Sequence, residues 1–302
     1  MPEPVIAIHG GAGTVRRSEL TPESESALHA ALGASLRAGY DILNAGGTSL
    51  NAVEQAVRVM EDSPLFNAGR GAVFTSAGTI ELDASIMDGS TLRAGGVAAV
   101  RGVRNPVTLA RAVMEHSPHV VLAGEGAEAF ARMRGLALEP AAYFHTEERW
   151  SALQRVRAAQ AMTLTERDRH GTVGAVALDA AGNLAAATST GGRTNKLPGR
   201  VGDSPIVGAG NYANAAVAVS GTGDGEVFLR TAAAYRVAVL MELAARSADE
   251  AARESLNDIA RYGGSGGLVV LDRLGNVAMP FNTEGMYRGV LRGDGKVQIG
   301  IY

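Results

Sequence analysis

The sequence predicts an α+β fold, a four-layer αββα sandwich of helices, sheet, sheet and helices. Three observations predict it. Two distant segments echo each other: Thr172-Val-Gly-Ala-Val-Ala-Leu-Asp179 followed by Gly182-Asn183, and Ser265-Gly-Gly-Leu-Val-Val-Leu-Asp272 followed by Gly275-Asn276, with Thr190 falling opposite Thr283. Each copy reads as a strand, an Asp-x-x-Gly-Asn turn and a returning strand, which is a hairpin signal. Both copies are apolar at nearly every position instead of alternating, so both of their faces are covered. Strands also precede helices in each half of the chain. That order suits two sheets packed face to face, each with helices on its outer side.

The elements follow in chain order. Residues 5–8 (VIAI) read as a buried strand running into a glycine turn, His9-Gly10-Gly11-Ala12-Gly13. A long helix comes next, with Thr21 as N-cap, Pro22 at its first position and Gly46-Gly47 ending it. A second helix spans 49–62, with Leu50, Val53, Val57 and Met60 on one face. Segments 71–75, 80–89 and 94–100 read as strands, and helices lie near 107–116 and 124–134. Residues 145–171 are rich in Arg, Glu and Gln and form the linker candidate, with a short helix near 152–161. Beyond Thr172 come the first hairpin, helices at 226–245 and 248–262, the second hairpin, and a closing segment KVQIGIY.

Bulk composition narrows the function classes. A chain of 302 residues, 46% hydrophobic and 20% charged, builds a sizeable core in one large domain or two small ones. A net charge of −3 gives no electrostatic reason to expect nucleic acid or an anionic membrane as partner. With no cysteine, disulfides, thiolate catalysis and thiolate metal sites are excluded. The opening MPEPVIAIHGG shows no leader pattern, and no apolar run is long enough to span a bilayer, so a cytoplasmic location is expected. His116 and His119 flank Pro118 without helical metal-ligand spacing and read as loop histidines. The HGGAG segment lacks the lysine of a phosphate-binding loop.

The border at Gly171-Thr172 carries the chemistry. A threonine hydroxyl is a poor nucleophile at neutral pH and needs a base within hydrogen-bond reach. All six histidines precede Thr172, so a serine-protease-like arrangement drawing its histidine from the second half is impossible. Cutting the Gly171–Thr172 bond gives another base: the new α-amine of Thr172, with a reference pKa of about 7.7–8.0. Glycine before the cut places no Cβ in the path of attack and tolerates a strained backbone. A loose polar linker upstream suits a segment that must move away after cleavage.

Several stretches carry a resemblance: GTVGAVALDAAGNLAAATSTGGRTNKLPGRVGDSP at 171–205, HGGAG at 9–13, PLFNAGRGAVFT at 64–75, SGTGDGE at 220–226, and GGSGG with PFNTEGMYR between 263 and 288. Together they resemble the plant-type asparaginase/isoaspartyl peptidase family of N-terminal-nucleophile hydrolases, over nearly the whole chain except about 135–168. The resemblance implies a single domain, 1–302, that cleaves itself between Gly171 and Thr172 into an α subunit (1–171) and a β subunit (172–302). It implies Thr172 as the nucleophile, Thr190 hydrogen-bonded near it, and Thr222 and Gly223 as oxyanion donors. For the substrate it implies Arg200 and Asp203 holding the α-carboxylate and α-ammonium, helped by the Gly225 carbonyl, with Asn67 close to the nucleophile. A fixed cation and anion three positions apart complement an amino-acid zwitterion, and the guanidinium fork suits a carboxylate.

The same resemblance implies a structural sodium ion on the main-chain carbonyls of Met60, Glu61, Ser63, Phe66, Ala68 and Arg70, a donor set suited to a hard cation, and no other cofactor. It implies a dimer of αβ units acting on small molecules: L-asparagine and β-aspartyl (isoaspartyl) dipeptides, through a β-aspartyl-threonine intermediate. Two other readings stay open, a glycosylasparaginase of the same family and a non-catalytic amino-acid-binding protein that keeps the Arg200/Asp203 clamp.

Overall fold

Residues along the central strands alternate between two apolar cores, and that alternation sets the architecture. The computed structural model describes residues 2–13, 18, 20–161 and 171–302. The chain begins with strand β1 (Val5–Ala12), helices α1 (Pro22–Asn44) and α2 (Ser49–Glu61), strands β2 (Leu82–Asp88) and β3 (Ala94–Val100), and helix α3 (Pro106–His116). Strand β4 (Val121–Ala123) and helices α4 (Gly124–Met133), α5 (Ala141–Phe144) and α6 (Glu147–Ala161) follow. Past Thr172 come β5 (Val173–Leu178), β6 (Leu184–Thr190), β7 (Asn211–Ala213), β8 (Val217–Gly223), α7 (Gly225–Thr231), α8 (Ala233–Ala244) and α9 (Ala248–Arg261). The chain ends with β9 (Gly266–Asp272), β10 (Val277–Ala278), β11 (Met286–Leu291) and β12 (Val297–Gly300).

Eight strands form one sheet in the order β12-β11-β1-β5-β6-β2-β3-β4, and four form a second, β10-β9-β8-β7. Ile6 and Ile8 of β1, and Val173, Ala175 and Ala177 of β5, join the core beneath α1, α2 and α3. Their neighbours Val5, Ala7, Val176 and Leu178 meet Ala218, Val269 and Leu271 of the small sheet. On that sheet Val217, Val219, Leu268 and Val270 face α8 and α9. Two cores on either side of one strand explain why the hairpins are continuously apolar, and the predicted αββα sandwich is the observed one.

The internal echo is structural. In β5–β6, Asp179 Oδ1 accepts from the Ala181 and Asn183 amides at 3.0 and 2.9 Å. In β9–β10, Asp272 Oδ1 accepts from Leu274 and Asn276, both at 2.9 Å. The same aspartate-anchored turn thus builds one hairpin in each sheet. Helix α1 starts where expected: the Thr21 hydroxyl accepts from the Ser24 amide at 3.2 Å and Ser24 Oγ accepts from the Thr21 amide at 3.0 Å.

Five expectations are corrected. The HGGAG segment is not a turn; it continues β1, because the β11 ladder extends to Ala12 through a bulge between His9 and Gly11. Residues 71–75 make only an isolated bridge, Thr75 to Lys196, and no strand. The helix expected over 226–245 breaks at Ala232 (φ +49°). There the first-turn amides of α8 leave the helix pattern: Ala234 and Tyr235 donate to the Ala209 and Gly208 carbonyls at 3.0 and 2.8 Å. Strands β4, β7, β8 and β11 were not expected; β8 and β11 are interrupted by glycine or charge that hides their periodicity. Helix α6 begins at Glu147, not near 152, because Trp150 packs edge-on against Phe74 at 5.2 Å and Arg149 Nε donates to the Gly71 carbonyl at 2.9 Å. The rest of the linker candidate, 162–170, lies outside the described residues. Among the described residues no helix is long and apolar enough to cross a membrane.

Strand β3 presses on α3 at Gly95, where a Cβ would collide with the Ala110 carbonyl and stand 2.8 Å from the Met114 amide nitrogen. Gly126 in α4 has open space around it. Gly95→Ala is therefore expected to destabilise by about 2 kcal/mol, whereas Gly126→Ala should be neutral or stabilise by up to about 1 kcal/mol. Urea unfolding of both variants checks this, and equal midpoints would contradict the close strand–helix approach.

Candidate active site

The alternation that fills the inter-sheet core with apolar side chains changes content at one end of the strands. Val173 lies opposite Ser189 in the β5–β6 ladder, so Thr172 stands beside Thr190. Counting by twos from the inter-sheet residues Val176, Ala186 and Ala218 reaches Thr172, Thr190 and Thr222. Three threonines therefore point into the gap between the sheets. Thr172 Oγ1 donates to Thr190 Oγ1 at 3.1 Å. Thr190 Oγ1 also accepts from the Gly192 amide at 2.9 Å. Thr172 is only 6% exposed.

Asn67 supports this pair from behind. Its Nδ2 donates to the Gly192 carbonyl at 2.7 Å, its Oδ1 accepts from the Val73 amide at 3.0 Å, and its own carbonyl accepts from Gly191 at 2.9 Å. Both ends of the side-chain amide are bound to main chain, so Asn67 fixes the turn that follows Thr190.

His9 was read as part of a turn, and its position is the main surprise. Its Nδ1–H donates to the Thr172 carbonyl at 3.0 Å, which leaves Nε2 to accept from Ser220 Oγ–H at 2.7 Å. Ser220 Oγ in turn accepts from Thr188 Oγ1–H at 2.7 Å, and Thr188 Oγ1 also lies 3.1 Å from the Gly210 carbonyl. This chain of polar contacts staples β1 and β6 to β8. A Cβ at Gly174 would collide with both Ser220 Oγ and His9 Nε2, so glycine makes room for the staple. Burial holds the imidazole down at about 4, against the pull of its bond to the Thr172 carbonyl.

The charged residues gather beside the threonines. Arg200 and Asp203 flank Gly225: a Cβ there would stand 2.8 Å from Asp203 Oδ1 and 2.9 Å from Arg200 Nη2. Asp203 is buried, and Arg200 Nε donates to Glu226 Oε1 at 2.9 Å. That bond leaves the Nη edge of the guanidinium directed at the backbone of Gly192, Gly202 and Gly225. Glu226 also faces Arg193 at 3.5 Å. Partial burial works against its ionisation, but the hydrogen bond and charge of Arg200, with Arg193, hold its carboxyl below the usual range. Thr222 is fully buried and its Oγ1 has no hydrogen-bond partner among the described residues. A buried orphan hydroxyl is costly and calls for a partner. Gly223 follows at φ +150°, where a Cβ would collide with the Ser265 carbonyl.

Lys196 and Asp83 escaped the sequence reading. Lys196 Nζ donates to the Glu81 carbonyl at 2.9 Å and lies 4.0 Å from Asp83 Oδ2, both side chains being buried. Burial lowers the Lys196 pKa and raises that of Asp83, each opposed by the charge of the other. Lys196 Nζ and Arg200 Nη1 lie 3.0 and 3.1 Å from the Cβ position of Gly192, so two cations converge on that turn. Lys196 being one of only two lysines in the chain was a signal that could have drawn attention to it.

The expected sodium loop follows α2 and ends in a 3-10 turn, Gly69–Gly71. Cβ atoms at Gly69 and Gly71 would collide with the Glu61 and Phe66 carbonyls, and one at Gly71 would lie 2.6 Å from the Pro64 carbonyl. The Met60 and Ala68 carbonyls accept turn bonds from Ser63 and Gly71 at 3.2 and 3.1 Å. The glycines thus form a cradle lined by main-chain oxygen, a donor type that fits a hard cation. Among the described residues no cluster of acidic or imidazole side chains could hold a metal. The Glu61 side chain, raised to about 8 chiefly by burial, points away and accepts from Ser189 Oγ at 2.7 Å and the Val107 amide at 3.0 Å. His116 and His119 are both exposed; His119 lies in the loop beyond α3 as expected, whereas His116 is the last residue of α3 and not a loop residue.

His9 yields a pH prediction. The folded state resists a proton that the unfolded chain accepts near pH 6.5, so this contribution is intact above about pH 6.5 and is lost as pH falls towards 4. It amounts to roughly 3 kcal/mol at full loss. Unfolding free energies from pH 7 to 4 should fall more steeply for wild type than for His9→Gln; parallel curves would contradict the neutral buried imidazole.

Comparison with known proteins follows the same lines. A family model described as asparaginase matches residues 2–301. An isoaspartyl peptidase of Salmonella typhimurium is 55% identical, covering 95% of each chain. An isoaspartyl peptidase of Escherichia coli is 54% identical over 95% of this chain and 92% of its own. An isoaspartyl peptidase/L-asparaginase of Xenopus laevis is 41% identical over 99% of this chain and 96% of its own. Matched over nearly its whole length by the family model and by these relatives, the chain belongs to the asparaginase family.

Proposed function

We propose that the chain is a self-processing amidohydrolase of L-asparagine and β-aspartyl dipeptides, with Thr172 as nucleophile. One observation carries the self-processing part. His9, which contacts Thr172, has both ring nitrogens engaged, on the Thr172 carbonyl and on Ser220, and is held neutral by burial. The Thr172 hydroxyl therefore needs another base, and its own α-amine supplies one once the preceding bond is cut.

Maturation begins with attack of Thr172 Oγ1 on the Gly171 carbonyl carbon. The C–N bond breaks as the acyl group shifts to oxygen, and the amine takes the proton. Water then hydrolyses the ester, leaving a Gly171 carboxylate and a free Thr172 amine. In turnover the amine accepts the Thr172 hydroxyl proton while the oxygen attacks the substrate's side-chain carbonyl. Thr222 Oγ1 and the Gly223 amide stabilise the oxyanion. The leaving nitrogen departs protonated, as ammonia or an amino acid, and water hydrolyses the β-aspartyl ester to aspartate. Arg200 holds the α-carboxylate, and Asp203 with the Gly225 carbonyl holds the α-ammonium. Asn67 acts by holding the turn on which Thr190 rests, not by touching substrate.

The interleaved sheet supports survival of the cut. Strand β1 runs between β11 and β5, both from beyond Thr172, so the fragments 1–171 and 172–302 stay hydrogen-bonded along both edges of that strand. The carbonyl cradle around Gly69 and Gly71 is where Met60, Glu61, Ser63, Phe66, Ala68 and Arg70 would hold sodium; its charge would offset carbonyl repulsion and stiffen the loop carrying Asn67. Assembly as a dimer of αβ units rests on the family resemblance.

Mass spectrometry of purified protein should find fragments ending at Gly171 and beginning at Thr172 that co-elute under native conditions. Thr172→Ala should abolish both cleavage and turnover, and Thr172→Ser should retain part of each; a persistent intact chain with full activity would contradict the terminal-amine mechanism. Glycosyl-asparagine turned over in preference to β-aspartyl dipeptides would favour the glycosylasparaginase reading, and aspartate bound without turnover by fully cleaved protein the binding-protein reading. Exchanging sodium for a bulky organic cation should lower the thermal midpoint by several degrees, and an unchanged midpoint would remove sodium from the account.

A further inference from the structure

A cavity of about 610 Å³ lies between residues 74–80, 101–102 and helix α5, and no residue of the threonine gap, the clamp or the sodium loop lines it. Its size falls within the roughly 300–1,000 Å³ of small-molecule sites. The lining is mostly apolar, with the rings of Phe74, Phe144 and His145 beside Ile80 and Ala142. Phe74 meets the His145 ring edge-on at 5.3 Å, and such rings offer the same contact to an aromatic guest. Arg101 adds a guanidinium to this lining. Of its five donors, one on Nη2 goes to Glu81 Oε1 at 2.6 Å. Among the described residues Nε and Nη1 have no partner, and Glu128 takes only the main-chain amide, at 2.9 Å. The Arg101 side chain is 52% exposed, so its unused donors are open to a ligand.

Glu81 links Arg101 to the clamp. Its Oε2 accepts from the Gly199 amide at 2.7 Å and its carbonyl from Lys196 Nζ at 2.9 Å, and Gly199 directly precedes Arg200. Phe74 is tied to the same turn, since its carbonyl accepts from the Asn195 amide at 2.9 Å. We propose that the cavity is an effector site for a small aromatic carboxylate, with its ring among Phe74, Phe144 and His145 and its carboxylate on the unused donors of Arg101. A guanidinium suits this because it offers parallel donors to a carboxylate. An acid seated there competes with Glu81 for the one cation. The Glu81 charge is then less neutralised beside Lys196 and the turn that leads to Arg200, so the clamp holds a substrate carboxylate less firmly. The regulatory part rests on the functional reading above; the binding site does not.

The probe is 3-phenylpropionate, with 3-phenylpropanamide as its uncharged counterpart. Trp150 is the only tryptophan and packs edge-on against Phe74 at 5.2 Å, so its fluorescence reads occupancy without turnover. The acid should bind about tenfold tighter than the amide, and Arg101→Gln should remove that difference. Ala142→Phe, which fills the cavity, should weaken both. Saturating acid should raise KM for asparagine about fivefold with kcat unchanged, and the rise should level off as the second site fills. Absence of binding, equal affinity for acid and amide, or binding indifferent to either substitution would overturn the site. A KM that climbs without limit marks direct competition at the clamp and, like an unchanged KM, would overturn the effector role. Protein that binds the acid through Arg101 yet turns over no asparagine would instead overturn the functional reading and leave the site standing.

Discussion

Two β-sheets packed face to face leave one shared interior, and everything placed at the site depends on what enters it. Period-two alternation sends every second residue of β1, β5, β6 and β8 into that gap. Over most of the strands these are Val, Leu and Ala, which pack without polar requirements. At one end the same positions become His9, Thr172, Thr188, Thr190, Ser220 and Thr222. Placing so many polar groups between sheets is tolerable because nearly all of them are hydrogen-bonded to one another or to backbone. Thr222 is the exception, and an unsatisfied donor facing the nucleophile's gap is what a developing negative charge would use.

Rigidity of the site follows from the same packing. The His9–Ser220–Thr188 staple crosses from the large sheet to the small one directly beneath Thr172, so the sheets cannot slide without breaking it. Asn67 ties the loop after α2 to the turn after Thr190. The charged layer lies further out: buried Lys196 and Asp83 stand behind Arg200, and Glu226 caps it in front. A cation converging with another on a glycine turn builds a positive potential of the kind that suits a carboxylate, and the nearby acids offset the repulsion between the two cations. Glycines 174, 192 and 225 all sit where a Cβ would meet one of these groups, which accounts for glycine clustering at the site.

The overall architecture was legible because the two hairpins carry identical turn chemistry and unbroken apolar runs. Helix ends were legible where a cap was present, as at Thr21. Strands β7 and β8 were hidden because glycine and short length blur a two-residue period, and the 226–245 helix looked continuous because nothing in the sequence marks Ala232 as left-handed. Its conformation is imposed by carbonyls of a distant loop. His9 and Lys196 were missed for a related reason: their roles come from partners more than 100 residues away. Thr172, Thr190, Arg200 and Asp203 stood within one quoted block, so their grouping could be anticipated, whereas the engagement of both His9 nitrogens could not.

The central claim is that the hydroxyl at the head of β5 attacks substrate within the inter-sheet gap. Rapid acid quench during turnover of a β-aspartyl dipeptide, followed by peptide mapping, tests it most directly. The account predicts a mass increase of one aspartyl residue on the peptide that begins at Thr172. The same increase on a different peptide would contradict it.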